Sequence, residues 1–342
     1  MSEQKKSFPC VIVHGGAFNV PESYVKRYTE GTQAAAKAGY QSMLTGGNAL
    51  DAAEAAVNSL ENNSAFNAGR GSVLTEAGTV ECDAVIVDGT NRKTGAVGCV
   101  RDIANPVSLA RKVMEETPHC MLVGEGAMKF AQKLQYPILE NPQDLITNDS
   151  VHKSFMKGSD AFDAHIKLYI DEIVQAKGDA DLKKMFEEII SKEKVNKKNG
   201  HDTVGAVAID KEGNLACATS TGGLPGKMLG RVGDSPIFGA GAYGDKNGCS
   251  SSTGHGEPFL KAAACRQANY FLEQGNGPME ACQKTLDYIL EEIGYGHGGI
   301  ILIDKKGEIG YAFNTATMAW ASVSDAGMRY GMRPGEDFTV TL

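Results

Sequence analysis

Within Gly200-His201-Asp202-Thr203-Val204-Gly205-Ala206-Val207 lies the residue best placed to do chemistry, Thr203. It stands where a polar, loosely patterned stretch meets an apolar, strand-like run. A threonine hydroxyl is a weak nucleophile at neutral pH and needs a base. One solution makes the residue N-terminal, so that its own α-amine, with a reference pKa of about 7.7–8.0, takes the proton. That chemistry requires a cut between Asp202 and Thr203, and Gly200 and Gly205 allow a tight bend there. On letters alone the plainer description, a β-branched residue opening a strand, is the stronger one.

The residues that follow favour the chemical reading. Thr219-Ser220-Thr221-Gly222-Gly223 ends a second strand-like run that a hairpin would bring back beside Thr203. Gly230-Arg231-Val232-Gly233-Asp234-Ser235-Pro236 offers a guanidinium and a carboxylate three residues apart among glycines. Such a pair suits both ends of an α-amino acid, Arg231 taking the carboxylate and Asp234 the ammonium. Ser252-Thr253-Gly254-His255-Gly256 then supplies a hydroxyl and backbone amides just before a helix, groups that suit a developing oxyanion. Singly, each has a bland alternative: a surface ion pair, a turn, a helix cap. Together they read as nucleophile, amino-acid clamp and oxyanion hole.

Other glycine-rich stretches carry less. Gly239-Ala-Gly241-Ala-Tyr-Gly244 and Gly294-Tyr-Gly296-His-Gly298-Gly299 fit a dinucleotide pattern by letters, but neither marks a turn from strand into helix. Gly226-Lys227 lacks the flanking residues of a phosphate loop. The 342 residues carry a formal net charge of −8, which argues against nucleic acid or an anionic membrane as partner. The basic run from Lys192 to Lys198 is broken by Glu193 and reads as a solvated connection. Eight cysteines lie scattered, without metal-ligand spacing, and are expected as free, mostly buried thiols. No signal-like apolar stretch follows Met1–Lys6 and none is long enough to span a bilayer, so the cytoplasm is the expected compartment.

The elements that must position these groups can be read coarsely. A strand begins at Cys10 and ends at His14-Gly15-Gly16. Helices are expected over Thr29–Leu44 and from Asn48, as N-cap with Asp51 in the first turn, to Leu60. Strands follow over Thr79–Val87 and Gly95–Arg101. Asn105-Pro106 should cap and start a helix over Val107–Glu116, with another over Glu125–Leu134. From about 141 to 201 the chain turns charged, with helical patterning at Ala161–Gln175 and Leu182–Ser191, and reads as an exposed connection. A hairpin, Val204–Ile209 with Leu215–Ser220, comes next, then helices over Glu257–Glu273 and Pro278–Ile293 and a strand pair, Gly299–Ile303 and Ile309–Phe313. Hairpin-joined strands with helices bunched between them imply a mixed α/β chain with largely antiparallel sheets, which a four-layer αββα sandwich fits.

The ordered motifs Val13-His14-Gly15-Gly16-Ala17, Gly46-Gly47-Asn48-Ala49-Leu50-Asp51-Ala52, Phe66-Asn67-Ala68-Gly69, Asp202-Thr203-Val204-Gly205 and the segments around Thr221, Arg231, Asp234 and Thr253 cover nearly the whole chain. In them the sequence resembles the plant-type asparaginase and isoaspartyl peptidase family of N-terminal-nucleophile hydrolases. The resemblance implies the αββα fold in a single domain, 1–342. It also implies self-cleavage into an α-subunit of about 1–202 and a β-subunit, 203–342, and a homodimer of such pairs. Thr203 would be nucleophile and, through its amine, base, with Thr221 hydrogen-bonded to its hydroxyl. Arg231 and Asp234 would hold the substrate's carboxylate and ammonium. Thr253 and Gly254 would stabilise the oxyanion, Gly256 would line the pocket, and Asn67 and His201 would support the region. No organic cofactor is implied. A structural sodium ion would sit on the backbone carbonyls of Leu60, Glu61, Asn63, Phe66, Ala68 and Arg70. The expected substrates are L-asparagine and β-aspartyl dipeptides.

One departure matters. Most asparaginases of this kind carry Gly-Thr at the cut, whereas this chain has His201-Asp202-Thr203, the pattern of glycosylasparaginases, so that activity is the alternative. Against it stand the lack of a secretory signal and the Gly222-Gly223 pair after Thr221. A threonine protease acting on folded proteins would be a third branch. An unprocessed amino-acid-binding relative, keeping Arg231 and Asp234, is the alternative from a different functional class.

Overall fold

The computed structural model describes residues 9–157 and 202–341. The helical patterning at Ala161–Gln175 and Leu182–Ser191, and His201, lie outside them. The first strand, β1 (Cys10–Phe18), is buried along its whole length. Its side chains alternate between two cores, as a strand with both faces covered requires. Val11 and Val13 join one cluster, and Cys10 and Ile12 the other.

Two helices follow, α1 (Glu22–Leu44) and α2 (Ala49–Glu61). As the sequence predicts, Asn48 starts α2 through a reciprocal capping box. Its Oδ1 accepts from the amides of Leu50 and Asp51, and its own amide donates to Asp51 Oδ2. The chain continues through β2 (Cys82–Asp88), β3 (Lys93–Val100), α3 (Pro106–Glu116), β4 (Met121–Val123) and α4 (Gly124–Lys133). A 3-10 turn (Pro142–Leu145) and α5 (Asn148–Lys157) complete the first stretch. The second begins with the hairpin β5 (Val204–Ile209) and β6 (Leu215–Thr221), then β7 (Ala242–Asp245) and β8 (Gly248–Gly254). Helices α6 (Gly256–Ala262), α7 (Ala264–Glu273) and α8 (Pro278–Ile293) precede β9 (Gly298–Asp304), β10 (Ile309–Phe313), β11 (Thr317–Ser324), β12 (Gly327–Gly331) and β13 (Phe338–Val340).

The strands form two sheets, one ordered β13-β12-β11-β1-β5-β6-β2-β3-β4 and one ordered β10-β9-β8-β7. Within them β3 and β4 run parallel and the other paired strands antiparallel. Apolar side chains including Val85, Val207, Cys217, Ile301 and Trp320 pack between the sheets. The outer face of the larger sheet meets α1, α2 and α3, and that of the smaller meets α6–α8 around Phe259, Leu286 and Leu302. This is the expected four-layer αββα sandwich. In the larger sheet β1 lies between β11 and β5, and β2 beside β6, so strands from before residue 202 interleave with strands from after it.

Several boundaries differ from expectation. β1 does not stop at His14 but continues to Phe18 across a bulge between His14 and Ala17. Gly16 sits in that bulge at φ +111°, where a Cβ would stand 2.6 Å from the Cβ of Asp202. Only a glycine lets the backbone pass so close to the residue before Thr203. The helix expected over 257–273 is broken at Ala263, which adopts the left-handed conformation at φ 47°, ψ 55°. Asn105 takes the N-cap position of α3 with Pro106 in the first turn, as expected, but its side chain does not cap; its amide donates to Glu61 Oε2 at 3.1 Å instead. The segment read as exposed from about 141 is partly packed into the protein over 145–154, although Asn148 stays exposed. Leu145, Val151, Lys153 and Ser154 are buried there, and Arg27 pairs with Asp149 at 2.6 Å. Among the described residues no helix is long and apolar enough to cross a membrane.

Candidate active site

Thr203 immediately precedes β5, and the register of the hairpin sets Val204 opposite Ser220. The return strand therefore delivers Thr221 to Thr203. The Thr203 hydroxyl donates to Thr221 Oγ1 at 3.2 Å and lies 3.5 Å from Ser235 Oγ. Its amide donates to Thr253 Oγ1 at 3.2 Å, across the gap between the two sheets. The Thr203 carbonyl accepts from His14 Nδ1 at 3.0 Å.

A carbonyl can only accept, so His14 carries its proton on Nδ1, and Nε2 accepts from Ser251 Oγ at 2.9 Å. Burial drives the His14 pKa down to about 3 against the pull of the Thr203 carbonyl. At neutral pH His14 is therefore a fixed neutral donor rather than a proton carrier.

The turn after Thr221 is held from below. Asn67 Nδ2 donates to the Gly223 carbonyl at 2.8 Å, and the Asn67 carbonyl accepts from the Gly222 amide at 2.9 Å. The Gly223 amide donates to Thr221 Oγ1 at 3.0 Å, which fixes the hydroxyl facing Thr203. Beneath the same turn Lys227 is buried. Its ammonium donates to the Glu81 carbonyl at 2.8 Å and lies 3.8 Å from Asp83.

Arg231 and Asp234 share the cavity with Thr203. Its wall comprises Thr203, Thr221, Gly223, Leu224, Arg231, Asp234, Ser235, Gly254 and Gly256. Arg231 donates from Nε and Nη2 to Glu257 Oε1 at 3.1 and 2.8 Å, which fixes the plane of the guanidinium. Burial pushes the Asp234 carboxyl up to about 7, although Arg231 draws it down and Ser252 Oγ donates to it at 3.2 Å. An incoming ammonium would stabilise its ionised form. A Cβ on Gly256 would stand 2.7 Å from Arg231 Nη2 and 3.1 Å from Asp234 Oδ1, so the bare backbone at 256 leaves room for both side chains.

The structure thus brings together Thr203, Thr221, Arg231, Asp234, Thr253, Gly254 and Gly256, with Asn67 one step behind. His14, Tyr28, Ser235 and Glu257 were given no role from sequence, although all but Tyr28 stand in or beside the motifs quoted above. His14 opens the pair of glycines in β1, and Glu257 follows Gly256 directly.

The loop after α2 presents backbone carbonyls to a cation. Lys153 Nζ donates to those of Ser64, Ala65 and Phe66 at 3.1, 3.2 and 2.7 Å. Leu60, Glu61 and Asn63 each accept one backbone amide, which leaves a second lone pair on each oxygen. A hard cation such as sodium is compatible with that donor set, and would share Phe66 with the lysine. Among the described residues no group of three or more His, Cys, Asp or Glu side chains could hold a metal ion.

Comparison with known proteins agrees with this geometry. The family model described as asparaginase matches residues 7–332. The isoaspartyl peptidase/L-asparaginase of Xenopus laevis is 41% identical over 98% of each chain. That of Mus musculus is 43% identical over 94% of this chain and 90% of its own. The plant-type L-asparaginase of Pyrococcus abyssi is 38% identical over 92% of this chain and 96% of its own. A family match and relatives that run almost from end to end leave one conclusion: the chain belongs to the asparaginase family.

Proposed function

We propose that this enzyme is a self-processing amidohydrolase. It hydrolyses L-asparagine to L-aspartate and ammonia, and cleaves β-aspartyl dipeptides, through an aspartyl ester on Thr203. The observation that carries the reading is the single small cavity onto which the Thr203 hydroxyl, the Arg231 guanidinium and the Asp234 carboxyl all open. That is the constellation an α-amino acid with a side-chain amide needs. The names of the relatives favour this activity over a glycosylasparaginase, and over a non-catalytic binding protein.

In this reading the chain first cuts itself. The Thr203 hydroxyl adds to the carbonyl carbon of Asp202, the Asp202–Thr203 amide breaks to leave an ester and a free amine, and water hydrolyses the ester. The products are an α-subunit ending at Asp202 and a β-subunit beginning at Thr203. The Thr203 α-amine then serves as general base. Arg231 takes the substrate carboxylate and Asp234 its ammonium, which sets the side-chain amide against Thr203 Oγ1. Thr221 orients the nucleophile. The Thr253 hydroxyl and the Gly254 amide receive the developing oxyanion, Gly256 keeps the clamp open, and Asn67 holds the Thr221 turn. Ammonia or an amino acid leaves, and water attacks the ester to release aspartate and restore Thr203.

A sodium ion on the carbonyls of Leu60, Glu61, Asn63, Phe66, Ala68 and Arg70 would stiffen the loop that carries Asn67. Two cut pairs associating as a homodimer, in a reducing compartment such as the cytoplasm, complete the proposal. Free thiols at all eight cysteines suit that compartment.

Mass spectrometry of the incubated protein should find a fragment whose first residue is Thr203, with turnover of asparagine and β-aspartyl-leucine rising as it accumulates. Thr203→Ala should abolish both cutting and turnover. An intact wild-type chain without turnover, or an active Thr203→Ala protein, would reject the reading.

A further inference from the structure

The sequence left open how an aspartate before Thr203 is accommodated, and the fold gives it a partner from α1. The Tyr28 hydroxyl donates to Asp202 Oδ2 at 2.8 Å. Both residues are buried, Tyr28 1% and Asp202 2% exposed. The Tyr28 ring is fixed by edge-on contacts with Phe66 and Phe18, at centroid distances of 4.8 and 5.6 Å. From the other side, the bulge in β1 presses Gly16 against Asp202, and a Cβ there would come within 2.8 Å of the Asp202 Cα. Asp202 is therefore gripped by its carboxylate and by its backbone, while His14 and Thr253 hold the next residue. Burial raises the Tyr28 phenol well above its ordinary value, and the Asp202 carboxylate adds to the effect, so the phenol stays a donor.

We propose that Tyr28 is a positioning residue for the self-cleavage: by holding the Asp202 side chain it fixes the scissile carbonyl in the path of the Thr203 hydroxyl. This rests on the reading that the chain cuts between Asp202 and Thr203. Tyr28 takes no proton and forms no bond in the step. The Thr203 oxygen bonds to the Asp202 carbonyl carbon, the C–N bond breaks, and the hydroxyl proton ends on the released amine. What Tyr28 contributes is a fixed approach, which matters because a misplaced reacting carbonyl loses most of the benefit of being intramolecular. The hydrogen bond is to a buried carboxyl group, where no water can take its place once it is lost.

The test follows the appearance of the Thr203-initiated fragment in freshly synthesised full-length wild type, Tyr28→Phe, Asp202→Gly and the double variant. Tyr28→Phe keeps the ring and its packing. It should slow cutting about 10-fold or more, as expected for loss of one hydrogen bond to a buried carboxylate. In the Asp202→Gly background the same change should have no further effect, because the group it holds is gone. Asp202→Asn, which keeps an oxygen but not the charge, should cut at an intermediate rate. Once cut, Tyr28→Phe should show wild-type kcat and KM on asparagine. The assignment to Tyr28 is overturned if Tyr28→Phe cuts at the wild-type rate, or slows cutting equally with and without Asp202. A wild-type chain that never cuts would instead overturn the cleavage reading itself, and this proposal with it.

Discussion

At the scale of single residues, the site is a set of polar groups whose ionisation depends on how deeply they are buried. Asp234 has the sharpest consequence. In the proposed mechanism its carboxyl, pushed up to about 7 by burial, has to be ionised to hold the substrate ammonium, so acidification through neutrality should empty the clamp. The Thr203 α-amine, as the proposed base, has to be neutral and should also lose function as pH falls. The acid limb of kcat/KM for asparagine should therefore show two ionisations. Asp234→Asn should lower kcat/KM about 10- to 100-fold and leave a single-ionisation limb; a pH profile measures both. Thr203, Thr221, Arg231, Asp234 and Thr253 were legible because they stand close together in the chain, each beside glycines that announce a turn. Their supports were not. His14 meets the Thr203 carbonyl across 189 residues and Tyr28 meets Asp202 across 174, and no local pattern announces such pairings.

At the scale of elements, local rules worked where the local signal was strong. The Asn48–Asp51 box placed the start of α2, and two short apolar runs on either side of a turn placed β5 and β6. They failed where it was weak or misleading. β7 and β8 are made largely of glycine, serine and alanine, residues without strong strand preference, and are held by pairing and burial instead. The break between α6 and α7 falls at Ala263, an alanine in the left-handed region, with neither glycine nor proline to signal it. Ala263→Gly should relieve that strain and stabilise the protein by about 0.5–1 kcal/mol after glycine's greater unfolded-state freedom is counted. The shift would be read as a higher urea midpoint with an unchanged slope. Lys153 likewise looked like part of a charged connection, yet its ammonium is inserted among three carbonyls of the loop beside Asn67.

At the scale of the whole molecule, the αββα layering could be argued from the order of elements, but the strand order could not. Which strand neighbours which is set by contacts between distant parts of the chain, as when Cys10 of β1 pairs with Ser324 of β11. That order has a direct expectation. After a cut at Thr203 the two pieces still share three ladders, β11–β1, β1–β5 and β6–β2. They should elute as one particle in size exclusion and separate only in denaturant.

With the proposed cut at Thr203, the interleaved sheet would also give the molecule a history. Before the cut, every contact between its halves forms within one chain, and folding is independent of concentration. After it, the same sheet can be rebuilt only if two separate polypeptides meet, so recovery from unfolding becomes a second-order process competing with aggregation of exposed strands. In a self-processed enzyme that topology would make the first folding the easiest one, and durability afterwards a question of how slowly the molecule unfolds.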